Sequence, residues 1–503
     1  MMSSPKNPNR TVVAFIHTHM PDGNLDPYLQ SLCEAFVETG IALYVIKAND
    51  IVHNLASHTI KNSISEEKLV NWINQLNPDF IFNTNRAGIT TSLMRHTSCP
   101  IITWMVDLVP FMHHGGDKDD LFCERDILIT STSSCVQVFE EEYPILKGRV
   151  HYMPVATSIK DFKNSNISIQ DINVSFIGSL FDFDTYRLIL NRYKNDRAVI
   201  NRLLVISSLI RDNYNVNIDE CLEKYDLEFL YRDLHLNSLI VKASIANTVS
   251  NNDRIKTLDA ICDLGLKLYG TENWIDSANF SIDLLKCFQF SEYVNSRQKL
   301  VDIYQRSKIS INVNHNQATD GLPYRIFDIM ASNSLLITNY RKNSDIYTLF
   351  GEDVPVPMYR TPDELRELVQ YFLNNESHRL EIVSTCQKLV QEGFNFIDCV
   401  NKFYNIIGII TDANKSDSGK MFFFDVAMIS KKTAIIGNFI NKNRKELDAI
   451  KENLTLSLKY AAIVTIKTIA TILSEKQLKG LLSLAKIFFS EYNYHRISFW
   501  AKR

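Results

Sequence analysis

The stretch SKISINVNHNQATDGLPYRIFDIMASNSLLITNYRKNSDI, residues 307–346, is the part of the chain with the clearest structural pattern. Every second residue from Ile309 to Val313 is apolar, which is typical of a strand. Pro323 suits the first turn of a helix, because its ring fixes φ and no N–H is needed there. LLIT at 335–338 starts another strand. The pattern therefore predicts two buried strands joined by a polar loop and a short helix.

Polar side chains crowd the carboxyl end of the first of these strands. Asn314 and His315 follow the strand, and Gly321 leads into the helix that carries Arg325 and Asp328. In open α/β sheets, phosphorylated ligands bind at such strand ends beside a helix N-terminus. Arg325 suits a diphosphate, and Asp328, three residues later, suits a ribose hydroxyl. Spacing alone favours a plainer alternative, in which Arg325 and Asp328 pair with each other on a solvated helix face.

Length and composition indicate a soluble protein of several domains. The 503 residues are enough for two or three domains, and 45% hydrophobic with 22% charged residues is a globular composition. A formal net charge of −3, without a basic run, argues against nucleic-acid binding. Nine dispersed cysteines without a CxxC pair favour reduced thiols in a cytoplasmic protein. The polar start predicts no secretory signal, and no apolar run reaches the length of a membrane helix.

The order of the predicted elements indicates two α/β domains. Residues 1–160 alternate strands with helices, and the strand segments are TVVAFIHT at 11–18, IALYVIKA at 41–48, DFIFNTN at 79–85, PIITWMVD at 100–107 and DILITST at 126–132. Residues 166–410 repeat the alternation around a helical insertion at about 182–260, and residues 411–503 are predicted to be a mostly helical extension. Such βαβα order predicts parallel sheets covered by helices on both faces. Thr361 and Glu364 predict a capping box at one helix start.

Two such domains leave a cleft between their strand ends, which is the default ligand site. Three loops of the second domain converge there: one contains Gly178 and Ser179, another contains Tyr269 and Gly270, and the third is the polar loop that precedes Arg325. A glycine after a strand lets the backbone approach a ligand closely.

These motifs resemble the CgeB-like (spore-maturation) glycosyltransferases, within the GT-B class of two Rossmann-like domains. The resemblance is carried by SKISINVNH at 307–315, GLPYRIFDIMASNSLLITN at 321–339 and Asp345, with support from NVSFIGSL at 173–180, LKLYG at 266–270 and, more loosely, ITWMVD at 102–107. It implies a nucleotide-diphosphate sugar held by the second domain and a protein, glycan or lipid-linked acceptor held by the first. It implies no metal and no other cofactor.

The resemblance also assigns roles to individual residues. Asp320 and Asp328 have the spacing of the paired acidic residues of retaining GT-B transferases, in which the first lies by the donor sugar and the second by the ribose. Both are usually Glu in that class, and the group usually has Gly where this chain has Asn333. The predicted donor-binding set is Gly178, Ser179, Tyr269, Gly270, Asn314, His315, Gly321, Leu322, Pro323, Arg325 and Asp328.

The first domain supplies the acceptor candidates. Asp107 ends a strand and suits a base for an acceptor hydroxyl if the reaction inverts; the alternative is an Asp that caps the next turn. His17 and His19 are candidates for the acceptor or sugar pocket, although histidines without a role are commoner. The predicted catalytic residues are Asp107, Asp320 and Arg325. The adjacent His113 and His114 lack a third ligand at a telling spacing, so no metal site is predicted.

The role of the C-terminal extension and the activity of the protein each have more than one interpretation. The apolar–Lys pattern within residues 411–503 suits an interfacial helix that meets a lipid-linked acceptor at the membrane, or a helix that packs on its own domain or a partner. Two other functions fit the same fold. One is a nucleotide-sugar hydrolase or epimerase, which needs no acceptor, and the other is a binding protein that has lost its chemistry.

Overall fold

The computed structural model of the protein describes residues 10–18, 24–52, 66–107, 121–165, 169–213, 216–236, 238–315, 320–391, 393–408 and 419–424.

The first domain is built on a parallel sheet of seven strands. In chain order they are β1 Thr11–Ile16, β2 Ala42–Lys47, β3 Phe80–Thr84, β4 Ile101–Met105, β5 Asp126–Thr130, β6 Val150–Tyr152 and, much later, β12 Lys420–Phe423. Their order across the sheet is β12-β2-β1-β3-β4-β5-β6. β1, β3 and β4 are buried throughout, as expected for strands covered on both faces. The helices are α1 Pro27–Glu38, α2 Ala48–Ile51, α3 Glu66–Leu76, α4 Thr91–His96, α5 Cys135–Glu142 and α6 Ile159–Lys163.

The second domain has a parallel sheet of five strands in the order β11-β10-β9-β7-β8. They are β7 Ile172–Ile177, β8 Leu266–Tyr269, β9 Ser307–Asn312, β10 Leu335–Asn339 and β11 Met358–Tyr359. The prediction of two parallel α/β domains is confirmed. The helices that follow the insertion are α12 Ile282–Cys287, α13 Arg297–Arg306, α14 Tyr324–Ala331, α15 Asp345–Phe350, α16 Pro362–Asn374, α17 Glu376–Gln391 and α18 Phe396–Ile406.

The predicted helical insertion is confirmed. It consists of α7 Asp184–Arg192, α8 Arg197–Asp212, α9 Ile218–Lys224, α10 Phe229–Asp233 and α11 Ser238–Asp259. These helices enclose a core of their own, in which Leu203, Ile206 and Leu222 are fully buried. The insertion therefore holds itself together by apolar burial that is separate from the sheet cores.

Two helix starts differ in detail from the prediction. Pro323 is the N-cap of α14 and the helix begins at Tyr324, one residue later than expected. At α16 the Thr361 hydroxyl accepts the N–H of Glu364, as a capping box requires. The Glu364 carboxylate, however, accepts the N–H of Arg360 at 2.6 Å, one residue before the cap.

The chain crosses between the domains twice. Thr157 and Asn395 form a parallel bridge where the two crossing segments run side by side. Beyond the second crossing, α18 packs against the first domain, and the Phe403 ring lies 6.0 Å from that of Phe36 and 5.3 Å from that of Phe82. The first domain thus gains part of its core from residues late in the chain.

β12 is the one described element of the predicted helical extension, and it is a strand. It pairs with β2 at the sheet edge, where the Phe422 ring stacks on Tyr44 at 4.8 Å. A Cβ on the preceding Gly419 would lie 2.2 Å from the carbonyl oxygen of Ile41, so only glycine fits this approach. Residues 425–503 lie outside the described residues, and with them most of the extension.

Among the described residues, no helix combines the length and apolar character needed to cross a bilayer.

Candidate functional site

The loops after β7 and β8 are joined at the carboxyl edge of the second sheet. Gly178 donates its N–H to the carbonyl of Tyr269 at 2.8 Å, and the Gly178 carbonyl accepts the indole N–H of Trp274 at 2.7 Å. A Cβ on Gly270 would lie 2.2 Å from the Gly178 oxygen, which excludes any side chain there. Ser179 accepts the N–H of Thr271 through its hydroxyl at 2.8 Å. The structure therefore brings Gly178, Ser179, Tyr269 and Gly270 together, and the close approach that needs a glycine at position 270 is one of the chain to its own backbone.

Arg325, in the first turn of α14, points its guanidinium at these loops. Its central carbon lies 5.1 Å from the centre of the Phe176 ring. Its Nη2 would be 3.2 Å from a Cβ on Gly178. Its Nη1 is buried and has no hydrogen-bond partner among the described residues. A buried guanidinium N–H without a partner is costly, so this position suits a ligand that carries a hydrogen-bond acceptor.

Two further arginines lie around Arg325, and neither was predicted from the sequence. Arg254, on α11, donates to the carbonyl of Ser179 and lies over the Phe181 ring at 5.0 Å. Arg341, just after β10, donates to the carbonyl of His315 at 3.1 Å. Their positions are 71 residues before and 16 after Arg325 (325 − 254 and 341 − 325), so no local motif marks them.

His315 lies among these cations. Burial and the charges of Arg254, Arg325 and Arg341 hold the pKa of His315 well below its usual value. The imidazole is therefore neutral at pH 7, and the local charge comes from the arginines. Such a concentration of positive charge at strand ends suits a dianionic or diphosphate ligand.

Other residues of the predicted donor-binding set have structural roles at this edge of the sheet. The backbone N–H of Asn314 donates to the side chain of Asn339 at 2.9 Å, which ties the end of β9 to β10. Leu322 is part of the apolar core. Gly321 is buried beside it, and Pro323 caps α14. These residues place the α14 N-terminus near the strand ends.

Asp328 lies deeper than predicted. Its side chain is fully buried, and its Oδ1 accepts from the Thr157 hydroxyl at 2.5 Å and from Arg297 Nη1 at 2.8 Å. Burial raises the pKa of Asp328, whereas Arg297 and Thr157 lower it. The alternative of a surface Arg325–Asp328 pair is wrong, because the ion-pair partner is Arg297 from α13. Contact of Asp328 with a ribose stays a prediction; its Oδ2 is buried and has no hydrogen-bond partner among the described residues.

Asp320 lies where the two domains meet. Its carbonyl accepts the N–H of Asp345 at 2.7 Å. The Asp345 carboxylate in turn accepts the backbone N–H of Ser133 at 3.0 Å and the Ser133 hydroxyl, both from the loop after β5. Burial, with Asp320 and Asp345 nearby, raises the pKa of the Cys135 thiol to about 12. The carboxyl edges of the two sheets therefore face each other, which confirms the predicted cleft.

Asp107 follows β4 on the first-domain side of this cleft. Its Oδ2 accepts from Asn85 Nδ2 at 2.6 Å. On the second-domain side, burial raises the pKa of Tyr324 well above its usual value, and Asp107 is among the charged groups that add to this rise. The Tyr324 ring stacks on Tyr28 at 4.5 Å and lies 6.4 Å from Trp104. The turn after Asp107, where the capping alternative would be seen, lies outside the described residues.

The histidine candidates are only partly described. His17 directly follows β1 and is half-buried. The next residue, Thr18, is held by Asn49, whose Oδ1 accepts its N–H at 2.9 Å. His19, His113 and His114 lie outside the described residues. In the part of the chain that the structure describes, no group of three or more His, Cys, Asp or Glu side chains is placed to hold a metal ion.

Several solved structures resemble this fold at low sequence identity. A glycosyltransferase from Rickettsia africae is 11% identical with a TM-score of 0.49, and the alignment covers 80% of this chain and 98% of that one. Sucrose-phosphate synthase from Thermosynechococcus elongatus is 11% identical with a TM-score of 0.45, over 79% and 98%. HepE from Anabaena, in complex with UDP-glucose, is 9% identical with a TM-score of 0.48, over 79% and 99%. Likeness at this level does not transfer an activity or a substrate.

At the level of sequence, one family match bears on the site. No curated protein matches the chain significantly. A model of the family described as glycosyl transferase-like matches residues 254–404, from Arg254 through the loops and helices that carry Arg325 and Arg341. Residues 254–404 are therefore similar in sequence to that family.

Proposed function

We propose that this protein is a glycosyltransferase that moves a sugar from a nucleotide-diphosphate donor to the hydroxyl of an acceptor. Two observations support the proposal. One is the family match over residues 254–404. The other is the buried Nη1 of Arg325, which has no hydrogen-bond partner among the described residues and lies beside the loop that carries Gly178. A diphosphate supplies the missing acceptor.

The proposed chemistry uses this charge at the leaving group. The acceptor oxygen bonds to the anomeric carbon of the sugar while the bond from that carbon to the phosphate oxygen breaks. The nucleoside diphosphate leaves with the electron pair, and the acceptor proton passes to a base, for which Asp107 is the candidate in an inverting reaction. Arg325, Arg254 and Arg341 stabilise the departing diphosphate. Because the arginines provide this charge, we propose transfer without a metal ion.

Asp320 is proposed to lie by the donor sugar, since its backbone is joined to Asp345 where the two domains meet. The acceptor is proposed to bind on the first-domain side, near Asp107. A protein, a glycan and a lipid-linked acceptor all fit, as do a cytoplasmic location and contact of residues 411–503 with a membrane surface. The narrower CgeB-like assignment likewise stays a prediction.

Nucleotide binding tests the proposal directly. Calorimetry with UDP, GDP, dTDP and their sugars should find one nucleotide that the wild type prefers. Arg325→Ala should weaken its binding about 10- to 100-fold, because a charge-assisted hydrogen bond is worth about 1.5–3 kcal/mol. The melting temperature should change little, since Arg325 has no ion pair in the described structure. Arg306→Ala, which removes an exposed pair with Asp171, is the control.

The same assay separates the alternatives. Nucleotide release that needs an added acceptor extract supports transfer. Release without any acceptor supports the hydrolase. If no nucleotide or nucleotide sugar binds to the wild type, the enzyme proposal is wrong, and the fold serves another ligand.

A further inference from the structure

Asn85 binds Asp107 through its side-chain amide, and no sequence motif marks it. It directly follows β3, next to the β4 end that carries Asp107. Its side-chain Oδ1 accepts the backbone N–H groups of Val106 at 2.9 Å and of Asp107 at 3.2 Å. Its Nδ2 donates to Asp107 Oδ2 at 2.6 Å. One amide thus binds both the backbone and the carboxylate of the same residue.

The backbone at Asn85 is held in a conformation that suits few residues. Asn85 has φ 50° and the next residue, Arg86, has φ 63°, so two consecutive residues are left-handed. Asn tolerates this region better than most side chains. The Asn85 N–H donates to the carbonyl of Trp104 at 3.0 Å. The turn therefore aims the amide across to the end of β4.

Arg86 anchors this turn to the core. Its guanidinium is 2% exposed and forms a buried ion pair with Asp126, with Nη2 to Oδ2 at 3.0 Å. It also donates to the Thr103 hydroxyl at 3.1 Å and to the carbonyl of Leu121 at 3.0 Å. An arginine fixed by several charge-assisted hydrogen bonds leaves its neighbour little freedom. The position of Asn85 is thus determined by the core and not by the ligand site.

We propose that Asn85 is a positioning residue, which fixes the direction of the Asp107 carboxylate so that it can accept the proton of the acceptor hydroxyl. The inference rests on the proposed function, because it assigns Asp107 the role of base. A hydrogen bond donated to a carboxylate favours the charged form and lowers the pKa. Two bonds to the backbone and one to the carboxylate also fix its direction, which a base needs.

Asn85→Asp separates this role from a merely structural one. An Asp at position 85 keeps an oxygen for the N–H groups of Val106 and Asp107, and it tolerates the positive φ. It loses the donated hydrogen bond and places a second carboxylate beside Asp107. The upper titration of this coupled pair should lie about one pH unit or more above that of Asp107 in the wild type.

The pKa of Asp107 is measured by carbon NMR on the full-length protein, labelled at the Asp carboxyl groups and titrated with pH in the absence of substrate. The resonance that is absent from the spectrum of the Asp107→Asn variant is assigned to Asp107. Asn85→Gly, which also accepts a positive φ, should raise the pKa of Asp107 by less, and it serves if Asn85→Asp does not fold. The control is Asn74→Asp. The exposed amide of Asn74, on α3, donates to the carbonyl of His96 at the end of α4, so this substitution should leave the titration of Asp107 unchanged.

The outcomes decide the inference independently of the proposed function. If Asp107 titrates alike in the wild type and in both Asn85 variants, Asn85 does not position it, whatever nucleotide binding shows. If the pKa of Asp107 shifts in the Asn85 variants while the wild type binds no nucleotide, Asn85 does position Asp107 and the proposed function is wrong. Once an acceptor is found, Asn85→Asp should lower kcat with an unchanged donor KM, and the acid limb of the rate profile should move to higher pH.

Discussion

The Asp345 carboxylate accepts hydrogen bonds from both the backbone N–H and the hydroxyl of Ser133, across the boundary between the two domains. Asp345 is 1% exposed, and Ser133 is half-buried. Their contact joins the N-terminus of α15 to the loop after β5. The contact therefore couples the protonation of one carboxyl group to the way in which the two sheets face each other.

Asp345 should make stability depend on pH. Burial raises the pKa of Asp345, and the Ser133 hydrogen bonds lower it without removing the net rise. The folded state then binds more protons than the unfolded state between the usual pKa of about 3.9 and the raised value. Stability relative to Asp345→Asn should therefore be highest below this window and fall as the pH rises through it. Urea denaturation from pH 4 to 7 measures the difference.

Ser133→Ala is the matched variant for this measurement. It removes the hydroxyl hydrogen bond that lowers the pKa of Asp345. The loss of stability with rising pH should therefore continue to a higher pH than in the wild type. A stability difference that stays constant with pH, or one that grows as the pH rises, contradicts the prediction.

The Arg297–Asp328 pair should be essential to the fold. Arg297 donates to Asp328 at 2.8 Å, to Asp161 at 3.0 Å and to the Thr157 hydroxyl at 3.0 Å, and it is 5% exposed. Arg297→Met leaves the Asp328 carboxylate buried without a cation, which should cost about 3–5 kcal/mol of unfolding free energy. Chemical denaturation measures the loss.

A double-mutant cycle checks the cause of that loss. Adding Asp328→Asn to Arg297→Met should recover part of the stability, because the unpaired buried charge is then gone. Arg306→Met, which breaks the exposed pair with Asp171, should cost about 0–1 kcal/mol. If Arg297→Met and Arg306→Met lower the unfolding free energy equally, the unpaired charge of Asp328 is not the cause of the loss.

The docking of β12 should depend on Gly419. Its N–H donates to the carbonyl of Val37 at 2.9 Å, and a Cβ there would lie 2.2 Å from the Ile41 oxygen. Gly419→Ala should release β12 from β2, and amides of β2 should exchange with deuterium faster. Gly351→Ala, at a positive φ with open space around it, controls for the loss of a glycine. Unchanged exchange in β2 would falsify the docking role.

Local sequence patterns determined most of the fold. The apolar runs of β1, β3 and β4 and the alternation around Ile309 are properties of short segments, and they placed both sheets. Pro323 and Thr361 marked helix starts because capping depends on residues a few positions apart. β12 was missed because four residues at a sheet edge carry little periodic signal, and their strand character comes from pairing with β2.

The sequence by itself thus determined the two parallel domains, the cleft and the place of Arg325 at the strand ends, since each depends on local periodicity and on the order of the elements. Only the tertiary structure decided that Asp328 pairs with Arg297, that Arg254 and Arg341 join Arg325, and that Asn85 binds Asp107. These residues lie 16 to 71 positions apart in the sequence. No local pattern records them, because folding brings together residues that are far apart in the chain. Burial explains the Arg297–Asp328 pair, since a charge removed from water needs a partner.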